Sequence, residues 1–376
     1  MWIVIALIAA LGIAMSIPVT RYMALGLGEP WAKSRPLNYW VYEAKLGNPA
    51  AAEPLREIGE PAVTALRPLL NDEQVYVRRN ATEMVGKMGS KARPVVPQLI
   101  LTAISDDSLS TRKAAENALV EIGPAAITDL AKTLTGSLEE VQSTLKTDED
   151  KLRCRQFAIT TLDSICHNMF WNKQEKAPDE SDSVPELIEA LKHGDRPTRN
   201  CAARTLSTIG SGAKAAAPIL LELLVEELKN VKPLVDNRSF RSEDLVPRYR
   251  LVDALGGIGP EAKAALPFLL DLIRNDVDDA GGFRSQVVSA IQRIDTDGKQ
   301  MVAVLQSMLR AGASRQQSLA AHLFAYYAKY VPAAWHSLRE SVPFLQAYLN
   351  DKDSDVRKDI AEALNAIDPI SAKSRK

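Results

Sequence analysis

An arginine recurs along this sequence at the same place in a repeated pattern. The eight copies are Arg78, Arg112, Arg155, Arg199, Arg248, Arg284, Arg315 and Arg357. In seven of the eight copies, the residue ten places after the arginine is isoleucine or methionine. Successive arginines are separated by 34, 43, 44, 49, 36, 31 and 42 residues. A fixed pattern inside each copy, with a variable distance between copies, predicts a repeat protein whose repeats differ in loop length.

Each copy of the pattern predicts two helices. In residues 92–123, Pro97 stands near the start of an apolar run, and proline suits the first turn of a helix. A second run begins near Arg112, with small residues three and six places on and large apolar residues seven and ten on, which share one helical face. Gly123 can take the left-handed backbone that ends a helix. Since one such pair cannot bury its apolar face alone, the sequence predicts an all-α solenoid of stacked pairs.

Several segments resemble one known repeat family. Residues 259–270, GPEAKAALPFLL, resemble the first helix of a HEAT repeat, and residues 111–123, TRKAAENALVEIG, resemble the second. Val77–Arg78 and Val356–Arg357 supply the Val-Arg pair that often opens that second helix. The resemblance is greatest to the bacterial, phycobilisome-lyase-like subtype of HEAT repeat and covers residues 50–370. It implies an α-solenoid of about eight helix pairs.

The N-terminal segment is apolar. Residues 2–19 contain no charged residue and are 18 residues long, at the lower limit for a membrane-spanning helix. The nearby basic residues Arg21, Lys33 and Arg35 all follow this segment. The positive-inside tendency therefore favours a single-pass anchor with the solenoid in the cytoplasm. An export signal, cleaved or not, with the solenoid outside the membrane is the alternative.

The sequence thus divides into four segments. Residues 1–20 are predicted to form the membrane anchor or export signal. Residues 21–49 are predicted to form an aromatic linker that caps the first end of the solenoid, since the open end of a repeat stack needs a cover. The alternative is that its aromatic residues form a belt at the membrane interface. The repeats occupy residues 50–370, and residues 371–376 form a basic tail.

Two hypotheses compete for the arginine row. Acidic residues lie near the turn before many of the arginines, as at Asp72, Asp106, Asp195, Asp278 and Asp351. Equivalent positions stack in a solenoid, so arginines and aspartates of neighbouring repeats can pair as a ladder. Alternatively, the aligned guanidinium groups bind an anionic ligand. The chain has 46 basic and 47 acidic residues, and this balance disfavours a nucleic-acid-binding protein, which stays the second functional alternative.

The sequence offers no set of residues with recognisable catalytic or metal-binding spacing. Its cysteines, Cys154, Cys166 and Cys201, form no C-x-x-C motif, and its four histidines are scattered. The acidic turn at Asp295 and Asp297 lacks the glutamate that an EF-hand has at its twelfth position. We therefore predict no cofactor, no metal and no catalytic residue. The family resemblance implies one enzymatic alternative, because phycobilin lyases and isomerases contain this type of repeat.

Three insertions interrupt the repeats, at Asn168–Ser183, Lys229–Pro247 and Ala328–Ser341. Insertions in repeat arrays map to loops, and these loops often lie on a binding face. The insertions carry aromatic candidates for anchoring a partner, namely Phe170, Trp171, Phe240, Tyr330 and Trp335. The other interpretation is that these side chains only pin their loops to the solenoid. The sequence predicts a non-enzymatic, membrane-anchored scaffold that binds a protein partner.

Overall fold

The computed structural model describes most of the chain. The described residues are 29–171, 180–229, 242–275, 282–311 and 313–367. The predicted anchor, the basic tail and Phe240 lie outside them and stay predictions. The chain divides into two compact units, Met1–Ala190 and Leu191–Lys376.

The first unit consists of helices that follow one small hairpin along the chain. Its elements are β1 (Trp31–Ala32), β2 (Arg35–Pro36), α1 (Leu37–Lys45), α2 (Ala52–Ile58), α3 (Glu60–Leu66), α4 (Val75–Lys87), α5 (Val96–Ser105), α6 (Leu109–Ile122), α7 (Ile127–Thr135), α8 (Glu139–Gln142), α9 (Asp148–Trp171) and α10 (Val184–His193), which contains the end of the unit.

The hairpin corrects the all-α prediction for the linker segment. β1 and β2 pair antiparallel, with Trp31 opposite Pro36. Lys33 and Ser34 make the turn with positive φ angles of 47° and 60°. The indole N–H of Trp40 donates a hydrogen bond to the Ala32 carbonyl at 3.0 Å, which ties the hairpin to α1. Strands of two residues show no alternation of apolar and polar side chains, so periodicity could not predict them.

The second helix of each repeat forms as the spacing predicts. In α6, Ser108 caps the N-terminus by accepting a hydrogen bond from the Thr111 N–H at 3.5 Å. Ala115, Leu119 and Ile122 point into the core and are buried. The helix ends at Gly123, whose φ of 69° is easy for glycine and strained for other residues.

A short 3-10 turn opens several repeats after that glycine. Gly89–Val95, Gly123–Ala126, Gly210–Ala216 and Gly259–Ala265 all begin with a glycine at positive φ. The first helix of the next repeat follows directly. This confirms that the glycines mark the boundaries between repeats.

The second unit continues the same alternation of first and second helices. Its elements are α11 (Arg196–Ile209), α12 (Ala217–Lys229), α13 (Ser242–Ile258), α14 (Leu266–Arg274), α15 (Phe283–Ile294), α16 (Lys299–Ala311), α17 (Ser314–Tyr330), α18 (Trp335–Glu340), α19 (Val342–Gln346) and α20 (Ser354–Ile367). The second helices of neighbouring repeats pack against one another in the pairs α4–α6, α11–α13, α13–α15 and α17–α20, so the helical solenoid architecture is confirmed.

The repeat around Arg315 differs from the others. Ala325 and Tyr326 stand where the large apolar residue and the glycine would be. Without that glycine, α17 continues to Tyr330 and ends just before Pro332. The insertion at Ala328–Ser341, predicted as a loop, is largely helical, because residues 328–330 belong to α17 and a 3-10 turn, Pro332–Ala334, leads directly into the helix Trp335–Glu340.

Within the described part of the chain, one helical stretch has the length and hydropathy of a membrane span. It is Arg196–Lys229, with a mean hydropathy of 1.4 and about a third of its apolar window buried. The stretch consists of α11 and α12 joined by the 3-10 turn Gly210–Ala216, where Ala213 departs from helical backbone angles. Each of the two helices is shorter than the roughly 20 residues that a span requires. We therefore assign Arg196–Lys229 to the repeat core.

Candidate functional site

Arg78 pairs with the next repeat, as the ladder hypothesis predicts. Its Nε lies 2.8 Å from Oδ2 of Asp106 and its Nη2 lies 3.1 Å from Oδ1, and it also contacts Asp107. The Arg78 and Asp106 side chains are 12% and 8% exposed. Nη1 of Arg78 donates to the carbonyl oxygens of Asp72 and Glu73 at 2.9 and 3.2 Å. One guanidinium thus joins the turns of two repeats.

The pKa shifts of this pair follow from its geometry. The hydrogen bond to Asp106 raises the pKa of Arg78. Burial on its own raises the pKa of Asp106, but hydrogen bonds from Arg78 and from the Ser108 N–H outweigh it, so the pKa of Asp106 is lowered overall. Both groups are therefore charged at neutral pH.

The contact that recurs among the arginines lies within a single repeat. Arg112, Arg199 and Arg357 each donate to backbone oxygens of the turn that precedes their own helix. The distance is 2.9 Å from Nε of Arg199 to the Gly194 oxygen and 2.7 Å from Nη1 of Arg357 to the Asp351 oxygen. Sequence reasoning missed this contact because it assigned the arginines to pairs between repeats. It explains why arginine recurs whether or not the neighbouring repeat offers an acid.

Arg248 forms a different contact with the next repeat. Its guanidinium lies 5.2 Å from the ring centroid of Phe283, at the start of α15. Burial lowers its pKa, while Tyr249 and Glu227 act in the opposite direction. Within the described ranges its Nε has no hydrogen-bond partner. The remaining copies, Arg155, Arg284 and Arg315, also have interaction partners. These contacts support the structural interpretation of the arginine row.

A second polar cluster links three second helices of the second unit. Asp253 of α13 accepts hydrogen bonds from Arg293 at 2.9 Å and Gln286 at 3.1 Å, both on α15. The Ser207 hydroxyl of α11 donates to the other oxygen of Asp253 at 3.2 Å. This close approach depends on Gly257, where a Cβ atom would lie 2.5 Å from the Ser207 oxygen. The sequence signal for this cluster is the Gly256–Gly257 pair before Ile258, which permits the close approach of the helices.

The aromatic residues of the insertions are exposed wherever their side chains are described. Phe170 is 69% exposed near the end of α9, and Tyr330 and Trp335 are 58% and 38% exposed. The side chain of Trp171 lies outside the described part. Phe170 and Tyr330 are more exposed than covered, which argues against the pinning interpretation for these two residues, whereas Trp335 is more covered than exposed.

Three of the exposed rings flank the connection between α17 and α18. The Tyr326 and Tyr330 rings lie 5.1 Å apart on one face of α17. The Lys329 ammonium lies 5.1 Å from the Tyr330 ring, and the Arg339 guanidinium lies 5.4 Å from the Trp335 ring. We call these five residues the aromatic surface.

An open groove in the first unit was not predicted. Its volume is about 610 Å³, and it lies between the end of α5, residues 143–147 and the start of α9. All of its lining residues are at least partly exposed. The groove exists because α8 and residues 143–147 lengthen the connection before α9. The 43-residue interval between Arg112 and Arg155 was the only sequence signal of this addition.

The three cysteines lack the surroundings of a catalytic nucleophile. Cys154, Cys166 and Cys201 are buried and form no disulfide. Burial raises the pKa of Cys154 to about 11, whereas reactive cysteines have a lowered pKa. Among the residues placed in the structure, no three His, Cys, Asp or Glu side chains are arranged to hold a metal ion.

The acidic turn considered for calcium has a structural role. Asp295 is buried, and its Oδ2 accepts a hydrogen bond from the Met301 N–H at 2.9 Å. Asp297 accepts from the Lys299 N–H and pairs with its ammonium at 2.9 Å. Both carboxylates hold the turn that begins α16.

Comparison with known proteins supports the repeat class. A family profile described as HEAT repeats matches residues 138–232. The HEAT resemblance is thus confirmed for this segment, and the phycobilisome-lyase-like subtype is not distinguished. No curated protein sequence matches the chain.

Several solved structures are similar at low sequence identity. Kap121p is 15% identical with a TM-score of 0.39, and the match covers 90% of this chain and 42% of that one. An engineered protein is 18% identical with a TM-score of 0.31, over 88% of this chain and 94% of that one. A structure from work on the interaction between cadherin and β-catenin is 15% identical with a TM-score of 0.36, over 83% and 62%. This chain therefore spans less than half the length of Kap121p.

Proposed function

We propose that this protein is a non-enzymatic scaffold that binds a protein partner through the aromatic surface. The observation that carries the proposal is the exposure of Tyr326, Tyr330 and Trp335 around one helix connection. Clustered exposed apolar side chains mark interaction sites on soluble domains. Tyrosine, tryptophan and arginine are also the residues that contribute most to binding at protein interfaces.

Two other aromatic residues of α17 have a structural role and are buried, unlike Tyr326 and Tyr330. Phe324 and Tyr327, also on α17, are fully buried and fill the core of the repeat. Tyr326 and Tyr330 are four residues apart, so they lie on the same face, and that face points to solvent. The cations of Lys329 and Arg339 lie over exposed rings and add polar groups around them. This combination of apolar rings and charged groups suits a protein surface.

The proposal includes a membrane anchor at the N-terminus. Its support is the uncharged segment 2–19 and the basic residues that follow it. In the favoured orientation the repeats lie in the cytoplasm. In the alternative, an export signal places them outside the membrane.

Replacing Tyr330 and Trp335 with serine is expected to abolish partner binding. Truncation of a central aromatic at an interface costs ~2 kcal/mol or more, which is about 30-fold in Kd. The measurement is proximity labelling in the native cell from the full chain fused to a biotin ligase. At least one labelled protein should fall to the level seen with the ligase alone, while the amount of the fusion stays the same.

Tyr76→Ser is the matched control, since Tyr76, on α4 of the first unit, is a tyrosine of similar exposure, 51% against 58% for Tyr330. It should leave the labelled set unchanged. An identical labelled set for all variants, or a set no different from that of the ligase alone, contradicts the proposal.

A further inference from the structure

The groove of the first unit has an apolar floor. Leu101 and Ile104 come from the end of α5, Leu145 from the connection before α9, and Phe157 from α9 itself. All four side chains are partly exposed, although residues of this type are usually buried. The volume of about 610 Å³ lies within the ~300–1,000 Å³ typical of ligand sites.

The two acidic side chains of the groove already have hydrogen-bonding partners within the protein. Asp106 pairs with Arg78 and accepts a hydrogen bond from the Ser108 N–H. Asp150 caps the start of α9 by accepting from the N–H and hydroxyl of Thr147 at 3.1 and 2.8 Å. Neither carboxylate has to find a partner in a ligand.

Three basic side chains line the groove. Arg112 donates to the backbone oxygens of Asp106 and Asp107, and the other two are more available to a ligand. The Lys146 ammonium is exposed and has no hydrogen-bonded or ion-paired partner within the described ranges. Arg153 is 61% exposed, and its ion pair with Glu149 at 3.2 Å is exposed to solvent. Such pairs contribute little, so a ligand carboxylate can replace Glu149. The groove therefore combines an apolar floor with two accessible cations at one rim.

We propose that this groove binds a short peptide segment of a partner protein, in which a bulky apolar residue is flanked by carboxylates. The apolar residue would cover Leu145 and Phe157, and the carboxylates would pair with Lys146 and Arg153. Every lining residue is at least partly exposed, so the groove is open to solvent, which suits a peptide segment better than an enclosed small molecule. This inference rests on the proposed scaffold function and adds a second, chemically distinct site to it.

The charges around the groove argue against a polyanion. Asp148, Glu149 and Asp150 form the first turn of α9, and Asp150 lines the groove. Nucleic acids carry a regular row of phosphates and bind where many basic residues meet them. Two accessible cations can pair with one or two carboxylates. The three nearby acidic residues would repel a longer row of negative charge.

Fluorescence anisotropy with the purified full chain tests this inference. The probes are two fluorescein-labelled decapeptides with the same central Leu-Phe, one flanked by glutamates and the other by lysines. The glutamate peptide is expected to bind at least about tenfold more tightly than the lysine peptide. Lys146→Glu combined with Arg153→Glu should weaken its binding by about tenfold or more. Leu145→Ala should weaken binding of the glutamate peptide as well.

The matched control is Lys87→Glu combined with Lys113→Glu, which reverses two exposed charges of the same unit outside the groove. Binding by this variant should equal that of the unchanged protein. Equal affinity for both peptides, or no response to the Lys146 and Arg153 changes, overturns the inference. Tighter binding of an oligothymidylate probe with the same residue dependence overturns it in favour of nucleic acid.

The tests of the aromatic surface and of the groove are independent, so either proposal can fail without the other. Loss of partner labelling in cells depends on Tyr330 and Trp335 in the second unit, whereas peptide binding depends on residues of the first. A circular-dichroism melt of each variant verifies that the substituted side chains, which are exposed or half-buried, leave the fold intact.

Discussion

Arg78→Met is expected to reduce the free energy of local unfolding around α4 and α6 by about 3 kcal/mol, because it leaves the buried carboxylate of Asp106 without its cation. The substitution also removes the hydrogen bonds from Arg78 to the turn at Asp72. Repeat proteins open locally, so hydrogen exchange of peptides from α4 and α6 is the suitable measurement. Exchange in these helices should accelerate by about a hundredfold.

Arg79→Met is the control for this prediction. Arg79 is the next residue of α4, and its pair with Glu83 is long, at 3.8 Å, with both side chains about half exposed. Its loss should change local stability by less than about 0.5 kcal/mol. Equal exchange in the two variants would contradict the role assigned to Arg78.

The Arg78 pair also predicts an acid dependence. The pKa of Asp106 is lowered in the folded protein relative to its unfolded value of about 3.9. A lowered carboxyl pKa contributes stability above the unfolded value, and this contribution is lost as the pH falls through the folded pKa. Protection of α4 and α6 should therefore decline below about pH 4 in the unchanged protein. Asp106→Asn should be less stable at neutral pH and should lack this part of the decline.

Gly257→Ala is expected to destabilise the packing of α11 against α13 by about 2 kcal/mol. A Cβ atom at position 257 would lie 2.5 Å from the Ser207 carbonyl oxygen and 2.7 Å from its Cα. Those are backbone atoms, so the two helices must separate to accept the methyl group. Separation also disturbs the hydrogen bond from Ser207 to Asp253.

The direction of the stability change distinguishes close helix packing from helix propensity. In an exposed helix interior, alanine is more favourable than glycine by about 1 kcal/mol. Urea unfolding should show Gly257→Ala to be less stable than the unchanged protein, whereas Ser285→Ala, on the exposed side of α15, stays within about 0.5 kcal/mol. Stabilisation by Gly257→Ala would mean that α11 and α13 do not approach each other as described.

The features that recur from repeat to repeat could be predicted from the sequence. The glycine at position 123 and its equivalents mark helix ends because each needs the same positive φ angle, and the apolar faces follow from the spacing after each arginine. The pairing of Arg78 with Asp106 was also predictable, since stacking brings equivalent positions together.

Features that occur once were beyond sequence reasoning. The hairpin at Trp31–Pro36 depends on one indole hydrogen bond and two residues at positive φ. The groove depends on residues 143–147, whose conformation is fixed by Thr147 and Asp150 rather than by any periodic pattern. The exposure of Tyr330 and Trp335 depends on how far α17 extends, and no spacing rule gives that length.

The most direct test of the scaffold account is site-specific photo-crosslinking at position 330. A benzophenone amino acid replaces Tyr330 in the full chain, which is irradiated in the native cell and analysed for covalent adducts. The account predicts a discrete adduct with one protein or a small set of proteins, lost when Trp335 is also replaced with serine. The same label at Tyr76 should give no such adduct. An absence of adducts at position 330, or the same adducts from both positions, would contradict the claim that the aromatic surface binds a partner.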